Sequence, residues 1–174
     1  MWYMNTASAD GAPRDVRRDA RSDVQVSGRV SGTPDRVWSV LADVRSWPAW
    51  LPTVTGVQPV EPATPEGVGA AYDVGQPRLG TARWVITDWR PGAGFTWVTR
   101  RPGVVTTGTH EVRATTSGRQ GEPGVEVELG IGWYGPLAWV ARLGYRRLTE
   151  RYIARELAAL TDVLTTAGAT RPVE

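Results

Sequence analysis

The sequence predicts an α+β fold: a curved, mostly antiparallel seven-stranded sheet wraps one long C-terminal helix, with two short helices between strands 1 and 2. Three observations carry this. One alternating strand and a proline-led helical stretch open the chain. Six short apolar or alternating runs follow, punctuated by Gly and Pro. An unbroken helical pattern of about 32 residues then closes it, a rod of about 48 Å. An antiparallel sheet has one face to bury, and a single amphipathic helix laid across it can do so.

Residues 1–23 have no period, and the cluster Arg14, Asp15, Arg17, Arg18, Asp19, Arg21, Asp23 solvates well, which predicts a flexible N-terminal tail. The domain is expected over 24–167, with 168–174 as a C-terminal tail. Val24, Val26, Gly28 and Val30 alternate with polar residues, the pattern of a half-buried strand over Val24–Ser31. Thr33 caps a helix led by Pro34, in which Val37, Trp38, Val40, Leu41 and Val44 recur at helical spacing. Ser46–Pro52 carries two prolines and two tryptophans and predicts a short second helix or turn with Trp47 and Trp50 inward.

The six later strands are expected at Val54–Val60, Val68–Val74, Thr81–Arg90, Gly94–Arg101, Val104–Thr116 and Gly124–Trp133. Glu61–Gly67 is a loop. Pro91-Gly92, Pro102-Gly103, Ser117-Gly118 and Pro123-Gly124 are hairpin turns.

The long helix is expected from Pro136, a favoured first helical residue, to about Ala167, with Gly168 as a left-handed stop. At about 100° per residue, Arg147, Glu150, Arg151, Ala154, Arg155, Ala158, Thr161 and Asp162 make the solvent face. The opposite arc holds Ala141, Tyr145, Leu148, Tyr152, Ile153, Leu157, Ala159, Leu160, Val163 and Leu164, and within it stand Arg142, Arg146, Thr149 and Glu156. Buried charge is costly unless paired or wet. Either the first half of the helix faces a polar-dotted cavity, or the arginines lean out and Glu156 pairs with one of them.

Composition narrows the chemistry. The absence of cysteine excludes a disulfide framework, thiolate metal sites and thiol catalysis, and fits a cytoplasmic location. All 20 basic residues are arginine, which excludes a lysine Schiff base. A net charge of +2, with acidic residues dispersed among basic ones, argues against a nucleic-acid partner. The most apolar run, Leu129–Ala141, is broken by glycines and proline and is too short to be an integral membrane segment. The N-terminus also lacks a signal peptide's apolar core. Nine tryptophans against one phenylalanine suit either wide aromatic walls for a ligand or a core built on indoles.

The segments TPDRVWSVLADVRSWPAWLP, PGAGFTWVTRRPGVVTTGTHEV and GPLAWV, in this order of elements, resemble the polyketide cyclase/dehydrase branch of the START-like (SRPBCC) superfamily. The resemblance spans about Val24 to Thr166 and implies the helix-grip fold of the birch-pollen allergen and lipid-transfer domains. It also implies a small hydrophobic ligand held between sheet and helix. For the cyclases it implies proton transfer by polar cavity residues with no metal or organic cofactor, in secondary metabolism.

Strand alternation places Phe95, Trp97 and Thr99 inward, with Val104, Thr106, Gly108, His110 and Val112, and with Val125, Val127, Leu129, Ile131 and Trp133. Trp84 and Trp89 stand on opposite faces by this count, so which of them points inward stays open. His110, the one histidine, is the candidate acid/base, and Glu156, on the polar arc of the long helix, is the second catalytic candidate. A lone histidine without HxH or HExxH spacing gives no metal site. Candidate ligand contacts are Trp47, Trp50, Trp84, Trp97, Trp133, Tyr134, Arg142, Tyr145, Thr149 and Tyr152, where arginine would suit a carboxylate or enolate. The expected partner is a small hydrophobic, aromatic or polyketide-like molecule, bound by a monomer or homodimer and cyclised or dehydrated. A non-catalytic carrier or sensor would use the same cavity, and a co-chaperone-like interaction domain would need an exposed apolar patch.

Overall fold

The computed structural model describes residues 22–61, 65–115 and 124–169. The elements run β1 (Val24–Val30), α1 (Pro34–Ala42), α2 (Trp47–Trp50), β2 (Gly56–Pro59), β3 (Ala71–Gln76), β4 (Gly80–Arg90), β5 (Gly94–Arg101), β6 (Val104–Thr115), β7 (Gly124–Tyr134) and α3 (Ala138–Ala169). The seven strands form one sheet in the order β1-β7-β6-β5-β4-β3-β2, every neighbouring pair antiparallel. From β2 to β7 this is a meander, and β1 closes the edge against β7. The helices pack on one face, and α3 lies chiefly along β1 and β7.

Local chemistry sets the boundaries. Thr33 caps α1 as expected: its hydroxyl accepts from the Arg36 N–H at 3.3 Å and Pro34 opens the first turn. A 3-10 turn over Val44–Ser46 leads into α2. β3 begins at Ala71 rather than Val68 because Gly67 and Gly69 both take positive φ, and the Ala70 N–H closes a turn onto the Gly67 carbonyl. β2 is shorter than expected, although Thr55 and Val60 still donate across to Gly75 and Ala71. α3 starts at Ala138, not Pro136, since the Leu137 N–H is used on the Gly103 carbonyl, tying the helix entry to the β5–β6 turn. Nor does Gly168 stop it; glycine permits the left-handed stop without imposing it, and α3 continues to Ala169.

Pro91-Gly92 and Pro102-Gly103 do turn the chain, with φ of +77° at Gly92 and +76° at Gly103. Ser117-Gly118 and Pro123 lie outside the described residues, as do 1–21 of the expected tail, 62–64 of the loop, and 170–174. Asp23, at the end of that expected tail, is bonded into the sheet: its N–H donates to the Ile131 carbonyl at 2.8 Å. The core joins Val37, Leu41 and Val44 to Phe95, Val125, Val127, Leu129 and Leu160 between sheet and helices. No helix among the described residues is long and apolar enough to cross a membrane.

Candidate functional site: an aromatic cavity with a buried His–Glu pair

Between the concave face of the sheet and the first half of α3 lies a cavity of about 430 Å³. Its aromatic wall is Trp47, Trp84, Trp97 and Trp133. Trp84 and Trp97 are stacked with ring centroids 4.8 Å apart, and Trp47 meets Trp97 edge-on at 5.2 Å. The Trp47 N–H is satisfied within the protein, donating to the Leu41 carbonyl at 3.1 Å. Trp97 has room to lie over β6 because its cross-strand neighbour is Gly108. A side chain there would put its Cβ 2.4 Å from the Trp97 indole nitrogen.

A β-bulge answers the open question on β4. Ile86 pairs with Trp97 and Trp89 with Phe95, while the register slips between Ile86 and Asp88. The extra residue resets the alternation. Trp84 and Trp89 therefore both face the helices, Trp84 in the cavity wall and Trp89 against Trp38 and Phe95.

At the inner end of the cavity His110 lies flat on Phe95, ring centroids 4.2 Å apart and 12° from parallel. Its Nε2 is 3.0 Å from Glu156 Oε1, with side-chain exposures of 6% and 12%. With a neutral imidazole and an ionised carboxylate, which only accepts, Nε2 carries the hydrogen and Nδ1 the lone pair. Nδ1 is buried and has no hydrogen-bond partner among the described residues. β6 brings the histidine and α3 the glutamate, 46 residues apart in sequence. So Glu156 pairs with His110 and not with an arginine.

The other predicted contacts divide. Thr149, Tyr152 and the half-exposed Tyr145 line the cavity. Tyr152 donates its hydroxyl to the Pro77 carbonyl, pinning the β3–β4 turn to α3. Arg142, expected as a ligand cation, turns away from the cavity wall. Its Nε donates to Asp23 Oδ1 at 2.7 Å and its Nη2 to the Trp133 carbonyl at 2.7 Å. Asp23 Oδ2 accepts in turn from the Trp133 N–H at 2.8 Å. Burial pushes the Asp23 carboxyl up, but these hydrogen bonds and the Arg142 charge outweigh it and hold the group below its ordinary range. Arg146 also leans outward, 3.0 Å from Glu150.

Tyr134 does not line the cavity, because it follows inward Trp133 and alternation turns it to the other face. Trp50 is absent from the wall as well; it stands behind Trp47, 6.1 Å between ring centroids, with its N–H buried and unpartnered among the described residues.

The lining also includes residues outside the expected set: Gln76 at the end of β3, Arg78 and Leu79 of the β3–β4 turn, and Arg101 at the end of β5. Arg78 takes φ of +66°, the one non-glycine at positive φ among the described residues. Arg101 donates to the Thr81 carbonyl at 3.2 Å, which brings its guanidinium to the same end of the cavity. Among the described residues no cluster of His, Cys, Asp and Glu could hold a metal ion.

A family model described as polyketide cyclase/dehydrase and lipid transport matches residues 21–165. The chain belongs to this family. Solved structures of low identity share its fold. XoxI from Bacillus cereus is 17% identical at a TM-score of 0.65, covering 82% of this chain and 94% of that one. The di-domain ARO/CYC StfQ of the steffimycin biosynthetic pathway is 17% identical at a TM-score of 0.61; 84% of this chain matches 51% of StfQ, about half its length. A START superfamily protein from Mycobacterium smegmatis is 12% identical at a TM-score of 0.56, covering 83% and 97% of the two chains. Among curated proteins none matches the sequence. At these identities the neighbours carry the fold, and site chemistry has to come from this chain's own residues.

Proposed function

We propose that the chain binds a small, flat, largely apolar molecule of polyketide type in this cavity and promotes its cyclisation or dehydration by proton transfer through His110 and Glu156, in the cytoplasm. The observation that carries it is the buried pair: an imidazole held by a carboxylate, its second nitrogen without a hydrogen-bond partner among the described residues, at the inner end of a tryptophan-lined cavity. Indole faces suit a conjugated or aromatic body. In a poly-β-ketone, the imidazole of the His110–Glu156 pair takes the proton from a carbon between two carbonyls. The resulting enolate attacks a second carbonyl to form the ring C–C bond, and the imidazolium returns its proton to the new alkoxide. Loss of that hydroxyl as water, with a neighbouring C–H proton, completes a dehydration. Glu156 keeps the imidazole oriented and stabilises its charged form.

A second reading, carriage without turnover, is favoured by the engagement of Tyr152 and Arg142 in bonds within the protein, which withholds both from chemistry on a ligand.

His110→Gln and Glu156→Gln separate the two. For proton transfer, turnover of a synthetic poly-β-ketone falls about 100-fold or more, while affinity read from tryptophan quenching stays near wild type. No turnover by the wild type, with tight binding intact, would leave carriage as the function.

A further inference from the structure

We propose that the entry of α3 is a docking face for an anionic phospholipid surface, placed beside the cavity mouth. Trp139 is 62% exposed and Leu143 is 82% exposed, and Leu137 and Val140 are exposed as well. Single exposed apolar residues are ordinary, but four within seven positions make a patch. At about 100° per residue, Trp139, Val140 and Leu143 fall on one outward arc of the helix, opposite buried Ala138 and Thr149. Leu137 and Val140 also line the cavity, so the patch is continuous with its mouth.

The charge around the patch selects the partner. Arg147 and Arg151 continue the outward arc, and neither forms an ion pair among the described residues. Arg78 and Arg101 stand at the mouth, likewise without an acidic partner among the described residues. A two-fold contact with a second copy would bring the arginines of one chain toward those of the other, which like-charge repulsion opposes. A membrane carrying negative headgroups accepts both features. Tryptophan and leucine enter the headgroup boundary while guanidinium groups pair with phosphates.

Docking stands on the surface residues alone. Its use, passing an apolar ligand from bilayer to cavity without crossing water, rests on the ligand-binding function proposed above.

The test is co-sedimentation of the full chain with phosphatidylcholine vesicles, with and without phosphatidylglycerol. The wild type is expected to pellet with phosphatidylglycerol-containing vesicles and to be released by salt. Trp139→Ser/Leu143→Ser and, separately, Arg147→Glu/Arg151→Glu are expected to weaken that binding by about tenfold or more. These positions are exposed, so unchanged melting confirms that the variants fold. A wild type that stays in the supernatant would overturn the proposal, as would variants that bind equally well. So would a dimer in sedimentation velocity that Leu143→Ser splits, since a second copy would then cover the patch. Ligand quenching measured without vesicles reports the cavity separately: a chain that pellets but binds no ligand keeps the docking face and loses the ligand function.

Discussion

The two halves of α3 are held to the sheet by different means. From Leu157 onward the helix is anchored by burial: Leu160 is completely buried and Leu164 nearly so. There it approaches β1 closely enough that a Cβ on Gly28 would lie 2.8 Å from Leu157 Cδ2. The first half stands over the cavity and is fastened at a few polar points. These are the Leu137 N–H on Gly103, Arg142 on Asp23 and the Trp133 carbonyl, and the Tyr152 hydroxyl on Pro77. One end of the helix therefore supplies stability, while the other leaves room for a ligand and exposes apolar side chains. Cavity and stability are divided along one rod.

The sharpest way to break this comparison is to truncate a leucine in each half. Leu160→Ala should cost about 2–5 kcal/mol, the transfer term plus the hole left in close-packed core. Leu143→Ala should change stability by less than about 0.5 kcal/mol, because that side chain is already in water. Chemical denaturation of both variants measures the contrast. Equal losses would mean that the first half is as firmly packed as the second.

The next largest effect tests the polar fastening. Asp23→Asn should cost about 1.5 kcal/mol at neutral pH, near the low end for hydrogen bonds to charged groups because the Arg142 side chain is 44% exposed. Asp23 is held below the ordinary aspartate value of 3.8, so its ionised, bonded form is the stabilising one. Its contribution is full above that value and disappears as the pH falls through the depressed folded value. The wild type and the Asp23→Asn variant should therefore converge in stability toward strongly acidic pH. Urea melts across the acid range measure the gap, and a gap that persists at low pH would remove the ion pair as its cause.

What the sequence disclosed follows the same division. Strand alternation placed Trp97, His110 and Trp133 inward because β5, β6 and β7 are regular and one-sided, and helical periodicity put Thr149 and Glu156 on the facing arc. Alternation could not decide between Trp84 and Trp89, since a bulge adds a residue without a sequence mark of its own. The Arg78 contribution was hidden because the left-handed residue of the β3–β4 turn is an arginine, where a glycine would have signalled the turn. Periodicity gave Arg142 a direction from its helix but not the length of its reach. Its carboxylate partner lies 119 positions away, in a stretch whose charges made it look like free tail.

Gly28→Ala is the smallest and most local probe of the anchored half. The added methyl would collide with the end of the Leu157 side chain, which can turn aside, rather than with backbone. The cost should stay below about 1 kcal/mol, at the low edge of overpacking penalties. A rigid helix–strand contact would cost more and would push α3 outward along its length, changing the fluorescence of the cavity tryptophans. An unchanged emission spectrum with a small loss of stability would show that the anchored half absorbs the methyl without moving the half that covers the cavity.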